Sequence, residues 1–167
     1  MTKKLNNIEI EALKNMQKSL TKPLRVKWTT SLKFKQITID LCNIDRTMMF
    51  KLYMRQSVLD EDNFSCGISF TKNGEDDITL ARYNGSNHVH VNKSDGQRFE
   101  FQCHIHQANE ECFKVSKKIE HHAIATNRYT NLQGAIQCVI QDFAIINLDI
   151  SQFFKQGGLF DDELSRC

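Results

Sequence analysis

At 167 residues, with 40% hydrophobic and 25% charged residues, the chain has the make-up of one globular domain and not of a disordered or low-complexity segment. No apolar run is long enough to span a bilayer, and the start does not read as a signal peptide, so the expected location is cytoplasmic with no membrane partner. The formal net charge of +2 hides an asymmetry: residues 1–58 hold 12 Lys/Arg against 4 Asp/Glu, a net +8, and residues 59–167 hold 10 against 16, a net −6.

Leu5, Ile8, Ala12, Met16 and Leu20 recur at three- and four-residue steps, which predicts a helix over 5–20, ended by Pro23. From 24 the period becomes two. "LRVKW" (24–28), "LKFKQITIDL" (32–41), "TMMFKLYMRQ" (47–56), "FSCGISFTK" (64–72) and "ITLARY" (78–83) each read as strands. The apolar phase of the second shifts near Gln36, which predicts a bulge or bend there. "NGEDD" (73–77) and "NGSN" (84–87) carry turn chemistry. "HVHVN" (88–92), the turn "KSDGQ" (93–97) and "RFEFQCHIH" (98–106) then read as a further hairpin. Residues 108–125 and 130–146 return to helical spacing, the second capped by Thr130 or Asn131.

The expected class is therefore α+β: an N-terminal helix, an antiparallel meander of five to seven strands, and two C-terminal helices packed on one face. Residues 1–150 form the single domain, and the acidic segment 151–167 is expected to be a mobile tail. The six cysteines form no C-x-x-C pair and read as small buried apolar residues.

Four of the six histidines fall into two H-x-H pairs, His88/His90 and His104/His106. In a strand, residues i and i+2 share a face, so each pair shares one. Whether the pairs meet depends on hairpin register. If paired positions sum to 191, the two pairs lie on opposite faces. If they sum to 192, His88 stands opposite His104 and all four rings share the outer face. Burying Val89 and Val91 together with Phe99, Phe101 and Cys103 favours the even sum, because one-sided burial is what usually sets register.

Three chemistries suit such a cluster. Imidazoles bind divalent transition metals, although Glu110 is the one carboxylate at an obvious ligand spacing, and no metal is assigned at this point. Histidines also titrate near neutrality and can divide acid and base duty on a phosphodiester, with Arg82 on the preceding strand to hold phosphate charge. The plain alternative is exposed polar strand residues with structural hydrogen bonds. No cofactor is required by the acid/base reading.

The stretches "RYNGSNHVHVN", "GQRFEFQCHIHQANE" and "IATNRYTNLQGAIQC" resemble a family of small bacterial proteins with the patterns R-Y-x-G, H-x-H-x-N, H-I-H-x-A-T-E and T-x-R-Y. The matching positions include Arg82, Tyr83, Gly85, His88, His90, Asn92, His104, His106, Glu110, Thr126, Arg128 and Tyr129, while Asn109 stands where the family has threonine. The resemblance covers residues 80–140 and carries no activity across. It implies that the polar set belongs together, with Arg82, Asn92, Arg128 and Tyr129 as substrate- or phosphate-binding residues around the catalytic candidates His88, His90, His104, His106 and Glu110.

Two functions follow as expectations. One is a small histidine-dependent phosphodiesterase or ribonuclease-like protein of a phage, mobile-element or toxin–antitoxin accessory system. A basic face of Arg25, Lys27, Lys33, Lys35, Lys51 and Arg55 would guide the nucleic acid. The other is a non-catalytic binding or inhibitor protein that engages a nucleic-acid-processing complex.

Overall fold

The computed structural model describes residues 5–71, 77–115, 119 and 122–155. The fold is α+β, built on one antiparallel sheet of eight strands, with an N-terminal and a C-terminal helix. In chain order the elements are α1 (Asn7–Asn15), β1 (Lys18–Leu20), β2 (Thr29–Thr30), β3 (Phe34–Asn43), β4 (Met49–Ser57), β5 (Phe64–Thr71), β6 (Ile78–Asn84), β7 (Val89–Val91), β8 (Arg98–Glu100), β9 (His104–Gln107), α2 (Glu110–Val115), β10 (Ile124–Ala125) and α3 (Leu132–Asp142), followed by a 3-10 turn over Ile150–Phe153. The main sheet runs β1-β3-β4-β5-β6-β9-β10, with β2 also on β3, while β7 and β8 form a separate two-stranded ribbon. Among the described residues no helix is long and apolar enough to cross a membrane.

The long strands follow the alternation in their sequences. Ile37, Ile39 and Leu41, with Phe50, Leu52 and Met54 and with Cys66 and Ile68, point into one core, where they meet Leu132, Ile136 and Val139 of α3. Each fully buried side chain of this kind contributes roughly 1.5–3 kcal/mol, so this inner face carries most of the stability. Arg82 and Asn84 of β6, His104 and His106 of β9 and the odd-numbered residues of β4 and β5 face the other way. This outer face is polar.

Several expectations change. The helix stops at Asn15 instead of running to 20, because Lys18–Leu20 pairs with Asn43–Leu41 as a sheet edge. Residues 24–28 form no strand. No bulge occurs near Gln36. The phase shift there arises because Phe34 sits on the outer face, beneath the guanidinium of Arg55 at 3.6 Å from the ring centroid. The register irregularity lies instead between Ile68 and Ser69, opposite Leu80. The predicted helix 108–125 is helical over Glu110–Val115, and Ile124–Ala125 has joined β9 as an edge strand. The C-terminal helix is capped by Asn131, whose side chain accepts from the Gly134 N–H, and it ends at Asp142; Ala144 and Asn147 then adopt left-handed φ. Residues 150–154 pack onto the body, with Phe153 buried and its carbonyl accepting from Trp28 Nε1, so the domain extends past residue 150. The rest of the predicted tail, from 156, lies outside the described residues, as do residue 72 and 73–76 of the predicted turn "NGEDD".

Candidate functional site

The predicted strand 98–106 is broken. Phe101 has φ +50°, and this left-handed residue separates β8, in the ribbon, from β9, in the main sheet. The ribbon register is Val89↔Glu100, His90↔Phe99 and Val91↔Arg98, which is neither of the two registers weighed from the sequence. Val89 and Val91 are exposed and Phe99 is buried, so the expected grouping of the valines with the odd-numbered phenylalanines does not form. The four rings still meet, by another route. The ribbon folds back over the outer face of β6 and β9 and lays His90 against His104 and His106.

Ring centroids of His90 lie 4.8 Å from those of both His104 and His106, His88 lies 5.1 Å from His104, and His104 lies 5.3 Å from His106. The sequence places all four on the outer side of the sheet, and so they are. The ribbon covers them, however, and His104 and His106 are fully buried, with His90 intermediate and His88 exposed.

Each ring spends one nitrogen on a carbonyl oxygen. His104 Nδ1 donates to Gln102 O at 2.9 Å, and His106 Nδ1 donates to His122 O at 3.0 Å. His90 Nε2 donates to Asn92 Oδ1 at 3.1 Å, and His88 Nδ1 to Asn87 Oδ1 at 2.9 Å. The amide of Asn92 is pinned in turn, since its oxygen accepts from the Ala123 N–H and its nitrogen donates to the Ala123 carbonyl. These contacts select the tautomers. A nitrogen facing a carbonyl carries the proton, which leaves the lone pair on His88 Nε2, His90 Nδ1, His104 Nε2 and His106 Nε2. One ring nitrogen each of His88, His90 and His104 falls within 4.8 Å of the others, the residues best placed to hold a metal. Asn84 Nδ2 donates to His104 Nε2 at 3.2 Å.

Burial pushes the pKa of both His104 and His106 down to about 4, and neighbouring histidines push the same way; for His106 the Arg82 charge adds to it. His88 is lowered too, by burial and by His90. At neutral pH His104 and His106 are therefore uncharged lone-pair donors, not proton donors.

Arg82 is half-buried on the same face as the register partner of His106, and Asn84 is the partner of His104. Tyr53 lies next to them over Gly67, where a Cβ would collide with the Tyr53 ring and the Ala81 carbonyl. On the other side of the cluster a recess of about 110 Å³ runs from His88 to Arg55, lined also by Ser65, Asn84 and Asn87. Asn84, Asn87 and Ser65 were not singled out from the sequence. In "RYNGSN" the asparagines read as turn formers, and only the fold turns them toward the histidines.

The remaining predicted residues separate from this group. Glu110 opens α2, where its N–H donates to Asn7 Oδ1, and it is not among the converging ligands. Arg128 makes a bidentate pair with Asp142 at 2.7 and 2.8 Å. Asp142 also accepts from Tyr83 Oη at 2.6 Å; burial pushes its pKa up, but these two donors hold it below the usual range. Tyr129 Oη donates to the carbonyls of Asn84 and His104, at 3.0 and 3.1 Å, from the core side. Arg128 and Tyr129 thus brace the sheet behind the site and do not face it. Asn92 is a buried support for His90. The basic set does not form one face either. Arg55 and Lys51 stand on the outer face, Lys51 paired with Asp77 at 2.8 Å, while Lys35 lies over Trp28 on the other face. Arg25 and Lys27 lie in the irregular segment before β2 and Lys33 in the turn before β3. His122, expected in a helix, lies in extended chain against the ribbon, with Nδ1 3.1 Å from Ser94 Oγ; His121, Lys117 and Lys118 lie outside the described residues.

A broader cleft of about 890 Å³ opens on the opposite side of β9, along the edge strand β10, between Phe101, Cys103, Ile124 and Arg128. No histidine lines it, and the chemistry belongs to the smaller recess. Comparison with protein-family models, with curated proteins and with solved structures finds no match to this chain, so function is argued from the site itself.

Proposed function

We propose that the chain is a small histidine-dependent phosphodiesterase acting on a nucleic acid or a nucleotide. The observation that carries this is the convergence of four imidazoles with Arg82 on one flank and Arg55 on the other. Guanidinium groups match phosphate oxygens bidentately, and Arg55 is held over Phe34 with its plane ready for such a contact. Lone pairs on the buried rings orient a water for attack on phosphorus. As the new P–O bond forms and the bond to the leaving oxygen breaks, the water proton passes to the Nε2 lone pair of His88, the exposed member at the mouth. His88 then hands that same proton to the leaving oxygen, so the ring ends neutral as it began. The origin in a phage, mobile-element or toxin–antitoxin system stays part of this proposal.

The test is turnover of single-stranded RNA, single-stranded DNA and a chromogenic phosphodiester by wild type and by a His104→Ala/His106→Ala variant. Loss of about 10²–10⁴-fold is expected, the usual worth of positioned acid/base groups. Equal turnover by the double variant, or none by wild type on all three, would overturn the reading.

A second reading is a non-catalytic binding or inhibitor protein that engages a nucleic-acid-processing complex. Favouring it, Phe101 and Ile124 are 68% and 59% exposed beside the open edge of β10, a place where an added strand of a partner could pair. Binding of such a complex by the four-histidine-to-alanine variant, with no turnover by wild type, would favour this reading over the first.

A further inference from the structure

The geometry points to a metal centre: we infer that His88, His90 and His104 bind one divalent transition-metal ion, with zinc the best match to the donor set. This rests on the same cluster as the phosphodiesterase reading and deepens it, because a metal supplies the electrophile and the acidic water that neutral imidazoles lack.

Three independent features support it. First, hydrogen bonds to carbonyl oxygens leave each ring of the set one unprotonated nitrogen. His90 and His104 each give one N–H to a carbonyl oxygen, Asn92 Oδ1 and Gln102 O, which leaves Nδ1 of His90 and Nε2 of His104 unprotonated, and one ring nitrogen of each lies within 4.8 Å of the other and of one on His88. This is the outer-shell arrangement that metal-bound histidines use to set tautomer and ring orientation. Second, the supporting residues belong to rigid elements. His104 is paired on both sides, with Asn84 of β6 and Ala125 of β10, and His90 is tied through Asn92 to Ala123, 31 residues away in sequence. Third, the set has the composition of an open catalytic site. It offers three imidazoles, which suit zinc, copper, nickel or iron and not magnesium or calcium. It also leaves a coordination position toward the recess that holds Arg55 and toward His106, whose Nε2 lone pair lies beside the cluster.

The fit requires a small adjustment. Ligand nitrogens around tetrahedral zinc stand about 3.4 Å apart, as Zn–N bonds of 2.0–2.1 Å dictate. The three nitrogens span up to 4.8 Å. The residue free to close this gap is His88, which is exposed and held by its own neighbour Asn87. Asn84 gives up its bond to His104 Nε2, and rotation of that amide turns its oxygen toward the site.

The full chain, stripped by chelator and dialysed, would be titrated with Co²⁺ and with Zn²⁺, followed by visible absorption and calorimetry. One Co²⁺ per chain is expected, with intense tetrahedral bands and no thiolate charge transfer, displaced by one equivalent of Zn²⁺. His88→Ala, at an exposed position and so expected to fold, should weaken binding at least about tenfold, as should His104→Gln. His122→Gln, which removes a histidine outside the converging set, should stay within about threefold of wild type. Absence of Co²⁺ binding by folded wild type, or wild-type affinity and stoichiometry in a folded His88→Ala chain, would overturn the inference. Turnover assays with and without chelator separate the two ideas. A chain that binds one zinc but cleaves no phosphodiester keeps the metal centre and loses the phosphodiesterase. A chain that cleaves equally well in chelator and binds no metal does the reverse.

Discussion

Two buried basic groups lie on opposite faces of the sheet, and they are satisfied in different ways. On the inner face Lys18 is wholly buried, and its Nζ donates to the carbonyls of Leu13, Lys14, Met16 and Phe143 at 2.6–3.3 Å, over the ring of Phe50. The ammonium closes the C-terminal end of α1 and ties it to the end of α3, and every proton it carries has an acceptor. On the outer face His104 and His106 are just as buried, yet each gives only one N–H to a backbone carbonyl, and the second nitrogen of His104 meets the side-chain amide of Asn84. Full satisfaction marks a structural device. Lone pairs collected in one place, on rings already oriented by other bonds, mark capacity for a ligand.

The contrast can be broken from either side. The largest effect is expected from Lys18→Met, which strands several carbonyls in an apolar setting. A loss of about 3 kcal/mol in urea unfolding follows from the cost of unpaired buried acceptors, with no change in Co²⁺ affinity. A Lys18→Met chain of wild-type stability would show that the ammonium is not what closes α1.

Asn92→Ala should cost about 2 kcal/mol, since two buried hydrogen bonds and a part-buried one go with it. Unlike the lysine change, it should also weaken Co²⁺ binding, because His90 loses the contact that selects its tautomer. A purely structural asparagine would lower stability and leave the metal titration of the folded protein untouched.

A smaller effect separates the two faces by pH. Burial lowers the Lys18 pKa to about 8 from an ordinary value of 10.5. Between these values unfolded Lys18 binds more protons than folded Lys18, so this group's contribution to stability should rise as pH goes from about 8 to 9.5. Cys66, Cys103 and Cys138, raised by burial, act in the opposite direction over the same range, and Tyr83 and Tyr129 join them near 10, so the Lys18 effect is read as a difference from Lys18→Met. In urea unfolding across this range, the stability of wild type minus that of Lys18→Met should rise; a flat or falling difference would contradict it.

The smallest change is expected for Arg55→Gln. Loss of its contact with Phe34 should cost under about 1 kcal/mol at so exposed a position, while turnover of a phosphodiester should fall with a rise in KM. An unchanged KM would remove Arg55 from the substrate's path.

How far these features could be read in the sequence depended on the range of the interaction. Phe50, Leu52 and Met54 announced their strand by alternation, and Asn131 announced a helix start, because both signals are local. The stop of α1 was misread because its cause is Lys18, drawn to the edge of the sheet by pairing with Asn43 and capping the helix from outside it. Arg128 and Tyr129 were grouped with the histidines because the motif that holds them runs through both faces of one sheet. Only the side-chain bonds show that they brace the site from behind.

The sequence by itself determined that His88 goes with His90, and His104 with His106, since i and i+2 share a face in any strand. It also determined that the surrounding sheet is antiparallel and one-sided in its burial. Only the tertiary structure decided that the two pairs meet. A single left-handed residue, Phe101, cuts the expected strand in two, and the docking of Asn92 on Ala123 folds the ribbon back across the outer face. Backbone reversal at one residue and a contact 31 positions away leave no mark on hydrophobic periodicity, which reports the faces of a strand and not what comes to lie on them.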